Sequence, residues 1–192
     1  MVQLNYIQEL KRQARGRNLS NEWYRKKIQE LGRPTSTQLM RDGKRGNRPY
    51  VGKLNMFFYD PKLKQKLPYY DIFPLVLPLK FYSDGFLGIN FHYLPIPLRV
   101  KLLNSLVSGF ANNSKLDEST RLNVSYDSVG KRSLVKPTLH KYLKTNLRSQ
   151  FRRIDADEFV IATLLPVQQF RKSLQIKCGQ IVERWFKWEN LI

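Results

Sequence analysis

Thirty-four lysines and arginines stand against fifteen aspartates and glutamates in 192 residues, a formal charge of +19 at pH 7. A charge of that size makes any compact state repel itself. The fold must spread its cations over the surface or have them neutralised from outside. Solubility does not explain the sign, since an acidic surface serves it equally well. The partner that suits such a surface is a polyanion: DNA, RNA or a strongly acidic protein face.

The cations are unevenly placed. Residues 1–53 carry 13 basic and four acidic side chains, residues 54–100 five and three, and residues 131–153 eight and none. Positive charge therefore flanks a nearly neutral, aromatic middle. Hydrophobic residues at 42% and aromatics at 12% suffice for a packed core, which excludes a wholly disordered chain. Two histidines and one cysteine exclude a Cys/His zinc site and a disulfide framework. No run of 18 apolar residues is present, and Met1-Val2-Gln3-Leu4-Asn5-Tyr6 lacks the order of a signal peptide.

Periodicity divides the chain. Leu4, Ile7 and Leu10 predict a helix over 2–15, and Ser20 or Asn21 caps a second one ending near Gly32. Residues 35–49 have little to bury and read as an extended basic arm, ordered only by a partner. Residues 53–59, 73–81 and 86–94 read as strands, the last two joined by a Ser83-Asp84-Gly85 hairpin. Residues 98–111 are helical in pattern. Residues 122–126 fit strand or helix. Leu139, Tyr142, Leu143, Leu147 and Phe151 predict a helix over 137–153, with its cations on the opposite side. Residues 159–165 read as a strand and 167–186 as a last amphipathic helix weakened by Gly179. The expected class is α+β: a small antiparallel β-meander or partial barrel flanked by amphipathic helices, with an extended basic N-terminal region. Residues 1–50 form the arm and 51–192 the single domain.

Enzymatic motifs are missing. There is no Walker loop and no dinucleotide glycine pattern. His92, inside an aromatic run, reads as a packed core residue, and Cys178 as a small buried hydrophobe without a histidine partner. Asp155, Asp157 and Glu158 have the type needed to hold Mg²⁺ in a nuclease. They lack a downstream Glu-x-Lys and adjoin Arg152 and Arg153, which favours helix capping and ion pairing. No cofactor and no metal are expected. What remains is phosphate binding by basic stripes interleaved with aromatics. The candidate residues are Arg41, Lys44, Arg45 and Arg48 in the arm, and Lys131, Arg132, Lys141, Lys144, Arg148, Arg152 and Arg153 further on. Such contacts position a protein on DNA without reading bases. The aromatics from Tyr69 to Tyr93 alternate as buried strands do, so they are core before they are stacking platforms.

The middle of the chain resembles a family. Phe57-Phe58-Tyr59-Asp60-Pro61-Lys62, Leu67-Pro68-Tyr69-Tyr70-Asp71, Phe73-Pro74-Leu75, Asp84-Gly85-Phe86 and Asn90-Phe91-His92-Tyr93-Leu94-Pro95 are similar to segments of small virion proteins of T-even-like tailed phages and cyanophages. Ala156-Asp157-Glu158, Leu165-Pro166 and Phe170-Arg171-Lys172 extend the likeness, which covers residues 52–95 well and 135–175 loosely. Some members look like DNA end protectors. The resemblance implies a non-enzymatic component of a multi-subunit virion, assembled in the host cytoplasm, that holds or protects the genome end near the portal, neck or tail. The alternative is a baseplate, hub or neck adaptor whose cations meet acidic protein surfaces. A metal-dependent nuclease is the third.

Overall fold

Ser83 and Asp84 reverse the chain between two extended runs. In the computed structural model they form the turn between β4 (Leu75–Tyr82) and β5 (Gly85–Asn90). The structure describes residues 5–15, 19–108, 122 and 135–172. A side chain at Gly85 would place its Cβ 2.0 Å from the Tyr142 carbonyl oxygen, so only glycine lets the next strand approach.

That next strand is β6 (Leu139–Leu143). On the other side of β4 lie β2 (Leu54–Met56), β7 (Phe151–Ile154) and the two-residue β1 (Arg45–Gly46). The order is β1-β7-β2-β4-β5-β6, antiparallel throughout. Its concave face carries Phe57, Tyr59, Val76, Phe86, Tyr142 and Phe151. Phe57 meets Phe151 at 4.8 Å and Tyr142 at 5.2 Å between ring centroids, so strands far apart in the order share one aromatic cluster. Only a strongly curled sheet allows this. β1 and β6 do not pair, so the curl stops short of closure. An α+β partial barrel is thus what forms.

The other face packs on helices. α1 (Tyr6–Gln13) is capped by Asn5, α2 (Asn21–Leu31) by Ser20 and α3 (Ser36–Arg41) by Thr35, each side-chain oxygen accepting from a first-turn N–H. With α4 (Ile96–Ser108) and α5 (Phe159–Leu164) they bury residues in one core with Leu54, Met56, Leu75, Leu77, Ile89 and Ile154. Ile7, Leu10, Ile28, Leu39 and Met40, all from the first fifty residues, belong to that core. A second small sheet pairs β3 (Tyr69–Asp71) with β8 (Phe170–Lys172).

Several expectations are corrected. Residues 35–49 do not wait for a partner: α3 is capped and buries Leu39 and Met40, and Arg45 and Gly46 pair with β7. Residues 137–153 are not a helix. They run through a 3₁₀ turn (Lys136–Thr138), β6, a second 3₁₀ turn (Lys144–Asn146) and β7. Short apolar runs fit both periods, and the open edge of β5 decides for strand. Residues 159–165 are helical because Asp155 and Glu158 form a capping box ahead of them. The strand from 86 ends at Asn90, whose side chain caps a 3₁₀ turn (Phe91–Tyr93). The helix expected from 167 does not begin there, since Phe170–Lys172 is strand. Its remainder, Gly179 and Cys178 included, lies outside the described residues, as do residues 123–126.

One buried carboxylate joins the segments. Asp71 Oδ1 accepts from the N–H groups of Phe73 (3.0 Å) and Gln169 (3.2 Å). Its Oδ2 accepts from Asn90 Nδ2 (3.3 Å) and His92 Nδ1 (2.8 Å). Burial opposes its ionisation, but His92 and the other donors outweigh it and hold the carboxyl below its ordinary range. Burial keeps the His92 imidazole below 6.5 against the pull of Asp71, so it donates as a neutral ring. Arg99, also buried, donates to the Leu94 carbonyl at 2.7 Å and approaches those of His92 and Leu165.

Asp71→Ala leaves four donors facing nothing, and urea denaturation should show a loss of about 3–5 kcal/mol. The two histidines set a pH response. Both have folded pKa values below 6.5, chiefly through burial. The unfolded chain therefore takes up protons first. The stability they contribute is present above pH 6.5 and is lost as pH falls through the lower folded values. Glu158, raised by burial, acts with the opposite sign nearer its own range. The urea midpoint should be flat from pH 7 to 8 and fall below 6.5, and His92→Gln should flatten that fall.

Candidate nucleic-acid interface

The acidic cluster faces inward. Asp155, 8% exposed at its side chain, lies 3.4 Å from Lys53 Nζ, 2.9 Å from Arg153 Nε and 3.7 Å from Lys44 Nζ. Lys53 is 1% exposed, so this pair is sealed from water. Asp157 pairs with Lys11 of α1, and Glu158 accepts from Gln8 of α1 at 3.2 Å. Asp155 and Asp157 thus bind cations of their own chain, as their arginine neighbours in sequence suggested, and Glu158 accepts from Gln8 and from the Asp155 N–H. Among the described residues no three His, Cys, Asp or Glu side chains gather as a metal site.

Arg152 is the fifth cation of this cluster and a correction to the candidate list. Its side chain is 1% exposed and lies over Gly43, where a Cβ would sit 2.1 Å from its Nε. Burial lowers its pKa, opposed by Glu158, Asp42 and Asp155. The alternation of β7 explains the placement. Phe151 enters the concave aromatic cluster and Ile154 the helical core, so Arg152 turns to the helical side. It cannot touch a phosphate without unfolding its surroundings.

The other described candidates are outside. Arg41, Arg45 and Arg48 are exposed and make no side-chain ion pair among the described residues. Arg153 is half-buried over the Tyr50 ring, 5.4 Å from its centroid. On β6, Lys141 pairs with Asp84 (2.8 Å) and lies 4.9 Å from the Tyr82 centroid. Lys144 donates to the Ser83 carbonyl at 3.0 Å, and Arg148 pairs with Asp60 at 3.5 Å. Lys131 and Arg132 lie outside the described residues.

Loops, not one helix face, bring these cations together. Gln150 donates to Asn47 at 2.9 Å, joining the Arg45–Arg48 stretch to the segment before β7. Arg148 then reaches Asp60, which also pairs with Lys64 at 3.0 Å. Asp60 and Asn146 exchange two further hydrogen bonds, 3.0 Å and 2.8 Å. The loop beyond Asp60 carries Lys62, Lys64 and Lys66, all exposed. Among the described residues, eight exposed cations (Arg45, Arg48, Lys62, Lys64, Lys66, Lys141, Lys144 and Arg148) thus share a band with two carboxylates, Asp60 and Asp84. The three loop lysines were absent from the sequence reading. Their signal is an alternation of Lys with Leu and Gln between Pro61 and Pro68.

The two kinds of pair should respond differently to substitution. Asp155→Ala removes a buried carboxylate that pairs with both Lys53 and Arg153 and should cost about 3–5 kcal/mol in urea denaturation. Lys44→Ala removes a 57%-exposed partner of the same carboxylate and should cost less than about 1 kcal/mol.

No curated protein and no solved structure matches this chain. A protein-family match covers residues 5–184, nearly the whole length, including both the helical N-terminal part and the curled sheet. The chain belongs to the phage T4 terminal DNA protecting protein family.

Proposed function

We propose that this protein is a phage virion component that sits on the end of linear phage DNA and shields it, holding the duplex by its phosphates. The observation that carries this reading is the band of eight exposed cations with two carboxylates among them. The family's description supplies the kind of polyanion and the part of it that is bound.

The chemistry required is modest. Lysine and arginine heads spaced along loops neutralise phosphates and release counterions, which gives affinity without base readout. Shielding an end needs occupancy, not catalysis. Within a virion the terminus of the packaged genome lies at the portal, neck or tail, and this protein would be placed there with it. Arg41, Lys44 and Arg153 extend the band beside β1, and Lys131 and Arg132 are candidates by sequence. The alternative reading, an adaptor whose cations dock on acidic protein, is an outcome of the same test.

Binding to a short linear duplex should weaken by about 10³–10⁵-fold between 50 and 200 mM salt if six to ten phosphates are neutralised. The combined Arg45→Ala, Arg48→Ala and Arg148→Ala variant should lower the slope of log K against log salt by about 0.9 for each phosphate lost, with folding unchanged. Exonuclease digestion from the ends should slow as the protein saturates them. A flat salt response, or digestion at an undiminished rate under saturation, would overturn the reading in favour of the adaptor.

A further inference from the structure

The unclosed side of the barrel holds a cavity of about 270 Å³. This is just below the usual range of ligand sites, about 300 to 1,000 Å³. Its walls are the rings of Tyr59, Tyr93, His140 and Tyr142. Tyr59 and Tyr142 meet edge to face at 4.9 Å, and Tyr93 stacks on His140 at 4.1 Å. Burial raises the phenol pKa of Tyr59, Tyr93 and Tyr142, so the walls are neutral π surfaces. The polar floor is Asp71 and Asn90.

The distribution of charge selects the occupant. The Asp71 carboxylate at the floor already accepts from four donors, so it offers nothing to an anion and repels one. The lip carries the opposite sign, with Lys62 and Lys141 exposed. Leu63 and Leu67, 56% and 36% exposed, flank the entrance. A ligand that fits has a neutral planar aromatic head and an anionic tail that stays at the mouth. Lys62 is part of the cation band, so the cavity opens where that band holds phosphates.

We propose that this cavity receives one unpaired base at the DNA terminus, base inward against the tyrosine-lined wall, with its phosphate held at the mouth by Lys62 and Lys141. This rests on the end-binding reading above and adds a ligand to it. A paired base cannot enter, because its edge is occupied by its partner and its faces by its neighbours. The site would therefore distinguish a frayed or overhanging end from continuous duplex.

The test uses the full chain and short hairpin duplexes with a single open end. Three ends are compared: blunt, a one-nucleotide adenine overhang, and the same overhang with an abasic sugar, each in 5′ and 3′ form. One polarity of adenine overhang should bind about 5- to 150-fold tighter than its abasic counterpart, the scale of one base–aromatic stack. A 2-aminopurine in the overhang should lose fluorescence on binding. Leu67→Trp, at an exposed position, should fill the mouth and abolish both effects. Equal affinity for adenine and abasic ends of both polarities, with undiminished fluorescence, would overturn the pocket and leave end binding standing. The full adenine preference retained by Leu67→Trp would also overturn it. Failure to bind any of the duplexes would overturn both readings.

Discussion

The Asp71 carboxylate is the constraint on which the architecture turns. It lies at the end of β3, yet its four donors come from the turn at Phe73, the end of β5, the 3₁₀ turn after it and the residue before β8. These segments span about a hundred residues of sequence. An isolated carboxylate in such a place would be prohibitively costly, and a carboxylate with four donors is tolerated only when all four are present together. The small sheet, the mouth of the barrel and the start of α4 are thereby fixed as a unit. The aromatic rings around that mouth then have fixed positions, which a cavity walled by side chains requires.

Charge is partitioned with equal economy. Four of the fifteen acidic residues, Asp42, Asp155, Asp157 and Glu158, gather where α1, α3 and β7 meet, and there they face Lys11, Lys44, Lys53, Arg152 and Arg153. Burying this cluster contributes little net stability, since the desolvation of each ion offsets its attraction. Its consequence is directional. These carboxylates are drawn inward, and among the described residues the band from Arg45 to Lys144 holds two others, Asp60 and Asp84. A surface so depleted of negative charge is suited to a phosphate backbone, and the inner cluster helps make it so.

Much of this was legible in the sequence. The caps of α2 and the Ser83-Asp84-Gly85 hairpin follow from local chemistry, and so do the aromatic strands and the inward role of Asp155 and Glu158. The errors share one cause. Leu139, Tyr142, Leu143, Leu147 and Phe151 fit a helical stripe, but two strands with a 3₁₀ turn between them also bury Tyr142, Phe151 and Leu147 together. Only the presence of an unpaired edge on β5 and of β2 beside β7 chooses between them, and neither is local. Arg152 was misplaced for the same reason. On a helix it would lie on the basic face, whereas strand alternation turns it toward Gly43 and the helices. The Lys62, Lys64 and Lys66 loop was overlooked because its alternating lysines carry no local sign that they lie beside Arg148. It meets Arg148 only through Asp60.

The incomplete closure of the sheet links fold and function. Closing β1 on β6 would satisfy two edges and is the usual way to remove them. Here the chain after β2 instead crosses the gap: Tyr59 bridges to Leu147, and its hydroxyl accepts from the Leu143 N–H at 3.1 Å. That crossing seals part of the concave face with Phe57 and Tyr59 and leaves the rest as an aromatic cavity. The loop that continues from it carries the lysines. One structural choice therefore produces a ring-lined recess and a cationic rim side by side. A nucleic-acid end, which combines a stacked base with a charged backbone and has no neighbour beyond it, presents the complementary pair of features.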